Sequence, residues 1–321
     1  MSGTEKRARA NGPMPKRQVL MQDDIDTMPT LKRVTYYATN LVARACIGTA
    51  LALPYTLRVP FMGWVLAYLV GPAAGFFRRA EDHVAFVLPH LPHAEHRRIA
   101  RASLENTGRT LIENYSTKTL LARQRDAAIS GPGIDALEQA AETGQPVILV
   151  TGHFGNYEAL RAALVGRGHK VGGLYRDMAN PYFNAHYVRT MQAFGGPVFP
   201  KGRKGTAGFV RHLKAGGQLV LLFDQHVADA PVLKFMGHPA HTAVSAAELA
   251  LRYNALLIPF YGIRQPDGLS FECVMEAPIA HSDAQTMTQA MNDSIGARIA
   301  ANPEQWLWVA RRWRAVSPAP K

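Results

Sequence analysis

From Pro146 onward, short β-branched runs alternate with stretches of helical spacing, and this alternation constrains the fold more than any other feature of the chain. Pro146-Val-Ile-Leu-Val-Thr151 follows a Gly-Gln turn signal and leads through a Gly-Asn pair into the helical stretch Tyr157–Leu164. The pattern repeats: Lys170–Tyr175 as strand, Asn180–Phe194 as helix, Pro197–Pro200 as a short strand and Thr206–Ala215 as helix. Gln218–Phe223 is then a fully apolar strand, His241–Tyr253 a helix and Ala255–Ile263 another strand. Ser270–Glu276 closes the series as an edge strand, before a helix over Ala284–Ala301. Strands that alternate with helices predict an α/β fold: a mostly parallel sheet flanked by helices.

Upstream the character differs. His93–Arg125 mixes charged and apolar residues at helical spacing and predicts one or two amphipathic helices packed on the main domain. Leu41–Phe77 is dominated by apolar residues, and its longest stretch without a charge is Val59–Phe77. That stretch approaches the roughly 20 residues that cross a bilayer as a helix, but Pro60, Pro72 and glycines interrupt it. It reads as a membrane-embedded or interfacial helix, or as a core helix hairpin. Basic residues stand on both sides, Lys32 and Arg33 before and Arg78 and Arg79 after, which a re-entrant or in-plane anchor satisfies without conflict. The organisation predicted is a flexible basic tail at 1–33, a membrane-associating and amphipathic helical region at 34–131, and an α/β catalytic domain at 132–321. No apolar centre of a secretory signal is visible in the tail.

Thirty-six Lys and Arg against 24 Asp and Glu leave a charge of +12, which suits nucleic acid, an anionic bilayer or an acidic carrier protein. The two cysteines, Cys46 and Cys273, offer neither a disulfide framework nor a cysteine zinc site, and they fit a reducing compartment.

In open α/β sheets ligands sit beyond the carboxyl ends of the strands. The polar residues there are His153 and Glu158, then Arg176 and Asp177, then Lys201, Arg203 and Lys204, then Asp224, Gln225 and His226. The sharpest element is T-G-H-F-G-N-Y-E. With His153 before the helix and Glu158 in its first turns, the carboxylate could hold one imidazole nitrogen while the other accepts a proton from a hydroxyl. On spacing alone, His153 also reads as a helix cap and Glu158 as a solvated carboxylate. No G-x-S-x-G element is present, so direct transfer is favoured over an acyl-enzyme.

His-x-x-x-x-Glu after an apolar strand resembles the signature of the glycerolipid acyltransferases, and the wider context resembles the lipid A biosynthesis (lauroyl/myristoyl) acyltransferases. Y-R-D-M-A-N-P at 175–181, F-D-Q-H at 223–226, K-F-M-G-H-P-A-H-T-A with A-E-L-A-L-R within 234–252, and N-P-E-Q-W-L-W-V-A-R-R-W-R at 302–314 carry that resemblance. It implies His153 and Glu158 as the catalytic pair, with Arg176 and Asp224 as further active-site residues. Arg176 is suited to a phosphate or a developing oxyanion, or pairs with Asp177 at the surface. Asp224 would orient Arg176 or a sugar hydroxyl, or cap a helix. Asn156, Lys201, Arg203, Lys204 and Gln225 are the candidate substrate-binding residues. The implied reaction moves an acyl chain from an acyl carrier protein thioester to a hydroxyl of an anionic lipid A precursor, at the cytoplasmic face of the inner membrane, with no metal or cofactor. Another glycolipid or phospholipid acceptor is the alternative. Ala310 stands where the family commonly has His, and His226 where an acid is common, which leaves acceptor identity open. Trp306, Trp308 and Trp313 suit either core packing or, for Arg311, Arg312 and Trp313, a membrane interface.

Three other classes compete. A metal-dependent hydrolase would use the H-P-A-H at 238–241, but Pro239 disturbs its helical geometry and no carboxylate partner is near. A nucleic-acid-binding module lacks any matching motif. A catalytically idle membrane-associated lipid-binding protein on the same fold is the third, and it is set apart by whether His153→Ala abolishes turnover while leaving membrane binding intact.

Overall fold

The computed structural model describes residue 25 and residues 27–175, 177–200 and 203–314. Residues 1–24 of the expected tail lie outside the described residues.

Among the described residues five helices precede the sheet: α1 (Thr30–Ala52), α2 (Tyr55–Ala73), α3 (Phe76–Val87), α4 (His93–Tyr115) and α5 (Thr117–Gln124). Helix α2 contains a π-helical stretch at Val65–Val70. Along it Tyr55, Val59, Gly63, Ala67 and Gly71 are buried, four residues apart, so they form a single stripe. That stripe packs on α4, where Gly108 lets the two backbones meet: a Cβ there would overlap Met62 O and Leu66. The opposite stripe, Leu57, Phe61, Trp64 and Tyr68, is exposed. Gly75, at φ 69°, turns the chain by 92° from α2 into α3, a left-handed conformation that glycine adopts without strain. Among the described residues no single helix is long and apolar enough to cross a membrane; the bent pair α2 and α3 qualifies only when the two are taken together.

The rest is a seven-stranded sheet: β1 (Ile129–Ser130), β2 (Val147–Thr151), β3 (Val171–Tyr175), β4 (Val198–Pro200), β5 (Gln218–Leu222), β8 (Leu256–Arg264) and β9 (Phe271–Met275). The spatial order is β1-β9-β8-β2-β5-β3-β4. All neighbours are parallel except β8 and β9. This is the mostly parallel, helix-flanked α/β sheet that the alternation predicts. Strand β2 lies at the centre, and its five residues, all but one of them apolar, are all buried, as a strand covered on both faces requires. Val147 and Leu149 pack with Leu160, Ala163 and Leu164 of α7 (Tyr157–Gly166), while Ile148 and Val150 face Ala246, Met291, Ile295 and the tryptophans. Helix α6 (Gly133–Thr143) joins the first layer. In the second lie α10 (Ser245–Tyr253) and α11 (Ala284–Ala301); α8 (Pro181–Ala193) and α9 (Arg203–Lys214) cover the β3–β4 end.

Two expectations change. Ser270–Glu276 is not the sheet edge, because the two-residue β1 pairs beyond it. The helix expected from His241 begins at Ser245; before it, β6 (Val232–Phe235) and β7 (His238–His241) form a separate hairpin. Met236 and Gly237 both take positive φ at its turn, the geometry of a tight hairpin with primed twist. H-P-A-H is therefore a strand, and its histidines are engaged elsewhere: His241 with Ala230 O at 2.6 Å, and His238 packed at a tilt against Phe86 with ring centroids 4.2 Å apart.

Candidate active site

Strand register builds the site. Strands β2 and β5 are parallel neighbours with Thr151 opposite Leu222, and Phe223 N donates to Thr151 O at 3.1 Å as the last rung. Two residues beyond each strand, His153 and Asp224 therefore stand side by side. His153 Nδ1 lies 2.8 Å from Asp224 Oδ1, and His153 N donates to Asp224 Oδ2 at 2.7 Å. Gly152 permits this approach, since a Cβ there would run into the Asp224 carboxylate and Ile295.

Asp224 is 1% exposed while the His153 side chain is 27% exposed. Burial pushes the Asp224 carboxyl up, but the neighbouring imidazole and the hydrogen bonds from His153 and Trp306 outweigh it and hold the group below its ordinary range. Burial likewise disfavours a charged His153, yet the adjacent carboxylate raises its affinity for a proton above the ordinary value. With Asp224 ionised, Nδ1 carries the hydrogen that it donates. Nε2 keeps its lone pair, 3.4 Å from Gln225 Nε2. Two cavities meet at this imidazole. One of about 220 Å³ lies against α4, and one of about 430 Å³ lies between α7, α8 and the ends of β3 and β5; His153 and Tyr157 line both.

The expected role of Glu158 as the holder of the imidazole does not match this geometry. Glu158 is 2% exposed and its Oε2 accepts from Arg161 Nη1 at 3.0 Å, one helical turn along α7. Arg161 is equally buried, and its remaining donors reach Val171 O at 3.2 Å and Gly195 O at 2.6 Å. The pair thus ties α7 to the start of β3 and the loop before β4. Asn156, expected at the substrate, is fully buried. It caps α7 by accepting from Glu158 N at 3.0 Å and donates to Glu113 Oε2 at 2.9 Å, so its amide has no face toward a ligand. Gln225 does line the larger cavity. Asp177 lines it too, holding Asn184 Nδ2 at 2.8 Å. Arg176 and Lys201 lie outside the described residues, as do the side chains of Arg203 and Lys204.

Sequence reasoning missed the segment that holds the His153 loop from beneath. Residues 305–307 run antiparallel to residues 153–155: Leu307 N donates to His153 O at 3.0 Å, Phe154 bridges Trp306, and Gly155 N donates to Gln305 O at 3.0 Å. Trp306, Trp308 and Trp313 are buried, as is Arg312, so the core-packing reading of these residues holds. The N-P-E-Q-W-L-W-V-A-R-R-W-R stretch stood out in the sequence through its family resemblance and its aromatic density, but neither signal shows which backbone it pairs with.

The family model described as bacterial lipid A biosynthesis acyltransferase matches residues 27–315. A phosphatidylinositol mannoside acyltransferase of Mycobacterium tuberculosis is 26% identical over 222 residues, 67% of this chain and 70% of its own length. A lipid A biosynthesis lauroyltransferase of Escherichia coli is 25% identical over 237 residues, 70% of this chain and 75% of its own. A lipid A biosynthesis acyltransferase of Haemophilus influenzae is 22% identical over 270 residues, covering 82% and 83%. With the match extending over the helical region, the sheet and the C-terminal segment, this chain belongs to the bacterial lipid A biosynthesis acyltransferase family and is an acyl-transferring enzyme.

Proposed function

We propose that the enzyme moves a fatty acyl chain from an acyl carrier protein thioester to a hydroxyl of a lipid A precursor, with His153 as general base. The observation that carries this reading is the His153–Asp224 pair: one imidazole nitrogen is fixed by a buried carboxylate and the other faces the junction of two cavities. In the proposed step the acceptor hydroxyl gives its proton to Nε2 as its oxygen attacks the thioester carbonyl. Asp224 stabilises the imidazolium that forms, and the same proton then passes to the departing thiolate. Arg176 is the proposed donor to the negative charge on the tetrahedral intermediate. Lys201, Arg203 and Lys204 are proposed contacts for acceptor phosphates or for the acidic carrier, in keeping with the +12 charge. The proposed location is the cytoplasmic face of the inner membrane, with the exposed stripe of α2 against the lipid.

A mannosylated glycolipid acceptor is the second reading, and the relatives named phosphatidylinositol mannoside acyltransferases favour it. The test is transfer from a labelled acyl carrier protein thioester to each acceptor, comparing the native enzyme with His153→Ala. Transfer to the lipid A precursor by the native form alone supports the proposal. Transfer only to the mannoside moves the assignment to the second reading, and equal turnover by His153→Ala overturns the base.

A further inference from the structure

We infer that Trp306 is a positioning residue of the reaction: its indole N–H fixes the Asp224 carboxylate that in turn orients His153. The inference rests on the reading of His153 as the base.

Asp224 has two oxygens and three donors. Among the described residues Oδ1 accepts from His153 Nδ1 alone, whereas Oδ2 accepts from His153 N at 2.7 Å and from Trp306 Nε1 at 2.9 Å. Oδ2 is thereby anchored from two directions, and the carboxylate plane is set so that Oδ1 meets the imidazole. The indole is itself immobilised. Its ring is fully buried, packed edge-on against Trp308 at 4.9 Å and against Phe235 and Trp313 at 5.5 and 5.7 Å. Its backbone bridges Phe154, and its carbonyl accepts from Ser103 Oγ of α4. One residue thus holds both halves of the pair, the His153 loop through its backbone and Asp224 through its side chain. A tryptophan needed only for packing would not have to aim its N–H at a buried carboxylate. Trp308 supplies the contrast, since its N–H goes to Pro303 O at 2.6 Å.

Among the described residues the charged groups around the pair are few. Arg312 is buried over Phe235 and acts on Asp224 through its charge, Glu158 is neutralised by Arg161, and Tyr157 and Gln225 are uncharged neighbours of His153. None is altered when the indole N–H alone is removed. Losing that donor concentrates negative charge on Asp224 and strengthens the hold of His153 on its proton.

The experiment is the pH profile of acyl transfer by Trp306→Phe and Trp308→Phe beside the native enzyme. Trp306→Phe is expected to lower kcat by about tenfold to a hundredfold, a part of the roughly 10²–10⁴-fold that a positioned general base supplies, and to move the acid limb of kcat/KM to higher pH. Trp308→Phe removes a similar ring and is expected to leave that limb where it is. An unmoved or lowered limb in Trp306→Phe, or an equal shift in both variants, overturns the inference. If Trp306→Phe does not fold, the native protein labelled at its indole nitrogens carries the test: one of its four indole signals must move on Asp224→Asn, and a spectrum with no such movement overturns it as well. Activity retained by His153→Ala would instead sink the reading of the base, so the two failures are distinguishable.

Discussion

Glu158 Oε2 lies 3.0 Å from Arg161 Nη1, and neither side chain is more than 3% exposed. Such a pair contributes little beyond its own desolvation while it is intact, but removing one partner strands a buried charge at a cost of roughly 3–5 kcal/mol. Glu158→Ala is therefore expected to lower the unfolding free energy by that order. Asp224→Asn, of nearly the same shape, is expected to cost about 10²–10⁴ in kcat by removing the support of the base. Urea unfolding and kinetics on both variants check this. A fully stable but inactive Glu158→Ala would return Glu158 to the chemistry.

Activity should be limited on the acid side by protonation of His153. Because the buried carboxylate raises the imidazole's proton affinity, the acid limb of kcat/KM is expected above pH 6.5, and Asp224→Asn should move it down. The stability linkage has a definite sign. A raised His153 contributes stability that is present below its ordinary value of 6.5 and lost as pH rises through the raised value. A depressed Asp224 contributes stability that is present above 3.8 and lost as pH falls through the lowered value. The excess stability of the native protein over Asp224→Asn should thus be greatest between those two values. Urea midpoints across pH measure it, and a flat difference would sink the idea.

Why Glu158 rather than Asp224 was expected beside the imidazole follows from what a sequence carries. His153 and Glu158 are close along the chain, and their spacing is visible. His153 and Asp224 are joined only because β5 lies next to β2, a neighbourhood created when β3 is placed beyond β5. The strand identities of β2 and β5 were legible from composition, since both are short apolar runs, and His153 and Asp224 each stand just beyond the strand end where the sequence placed them. Strand order was not legible, because long-range pairing leaves no local mark. Asn156 illustrates the same gap: a helix cap is a local property, but its second bond, to Glu113 on α4, depends on packing. The hairpin of β6 and β7 was hidden by alternation too short to separate from a helix start.

The exposed stripe of α2 predicts membrane binding in the plane of the surface. Phe61, Trp64 and Tyr68 stack on one another and are 44–48% exposed, and Arg101 lies 4.5 Å over the Tyr68 ring. Aromatic rings beside cations favour the interfacial zone of an anionic bilayer. Phe61→Glu with Trp64→Glu is expected to abolish co-sedimentation with phosphatidylglycerol vesicles while leaving the thermal midpoint near the native value, since both side chains face solvent. Unchanged sedimentation would remove α2 as the docking face.

A second buried ion pair locks the helical region to the sheet, and its removal should be felt at a distance. Arg264 of β8 forks onto Glu113 of α4 with two bonds of 2.6 Å, and Arg264 Nε reaches Asn106 Oδ1 at 2.7 Å. Glu113 also receives Asn156, the cap of α7, so the carboxylate joins α4, β8 and the helix that follows His153. Glu113→Gln leaves the guanidinium without its counter-charge, and Arg264→Leu leaves the carboxylate without its own. Each is expected to cost roughly 3–5 kcal/mol of stability. The double variant leaves neither charge stranded and should lose less than the sum, with a coupling of about 0.5–3 kcal/mol in a double-mutant cycle. Additive losses would mean that the two groups act separately, and that α4 is held to the sheet by its apolar contacts alone.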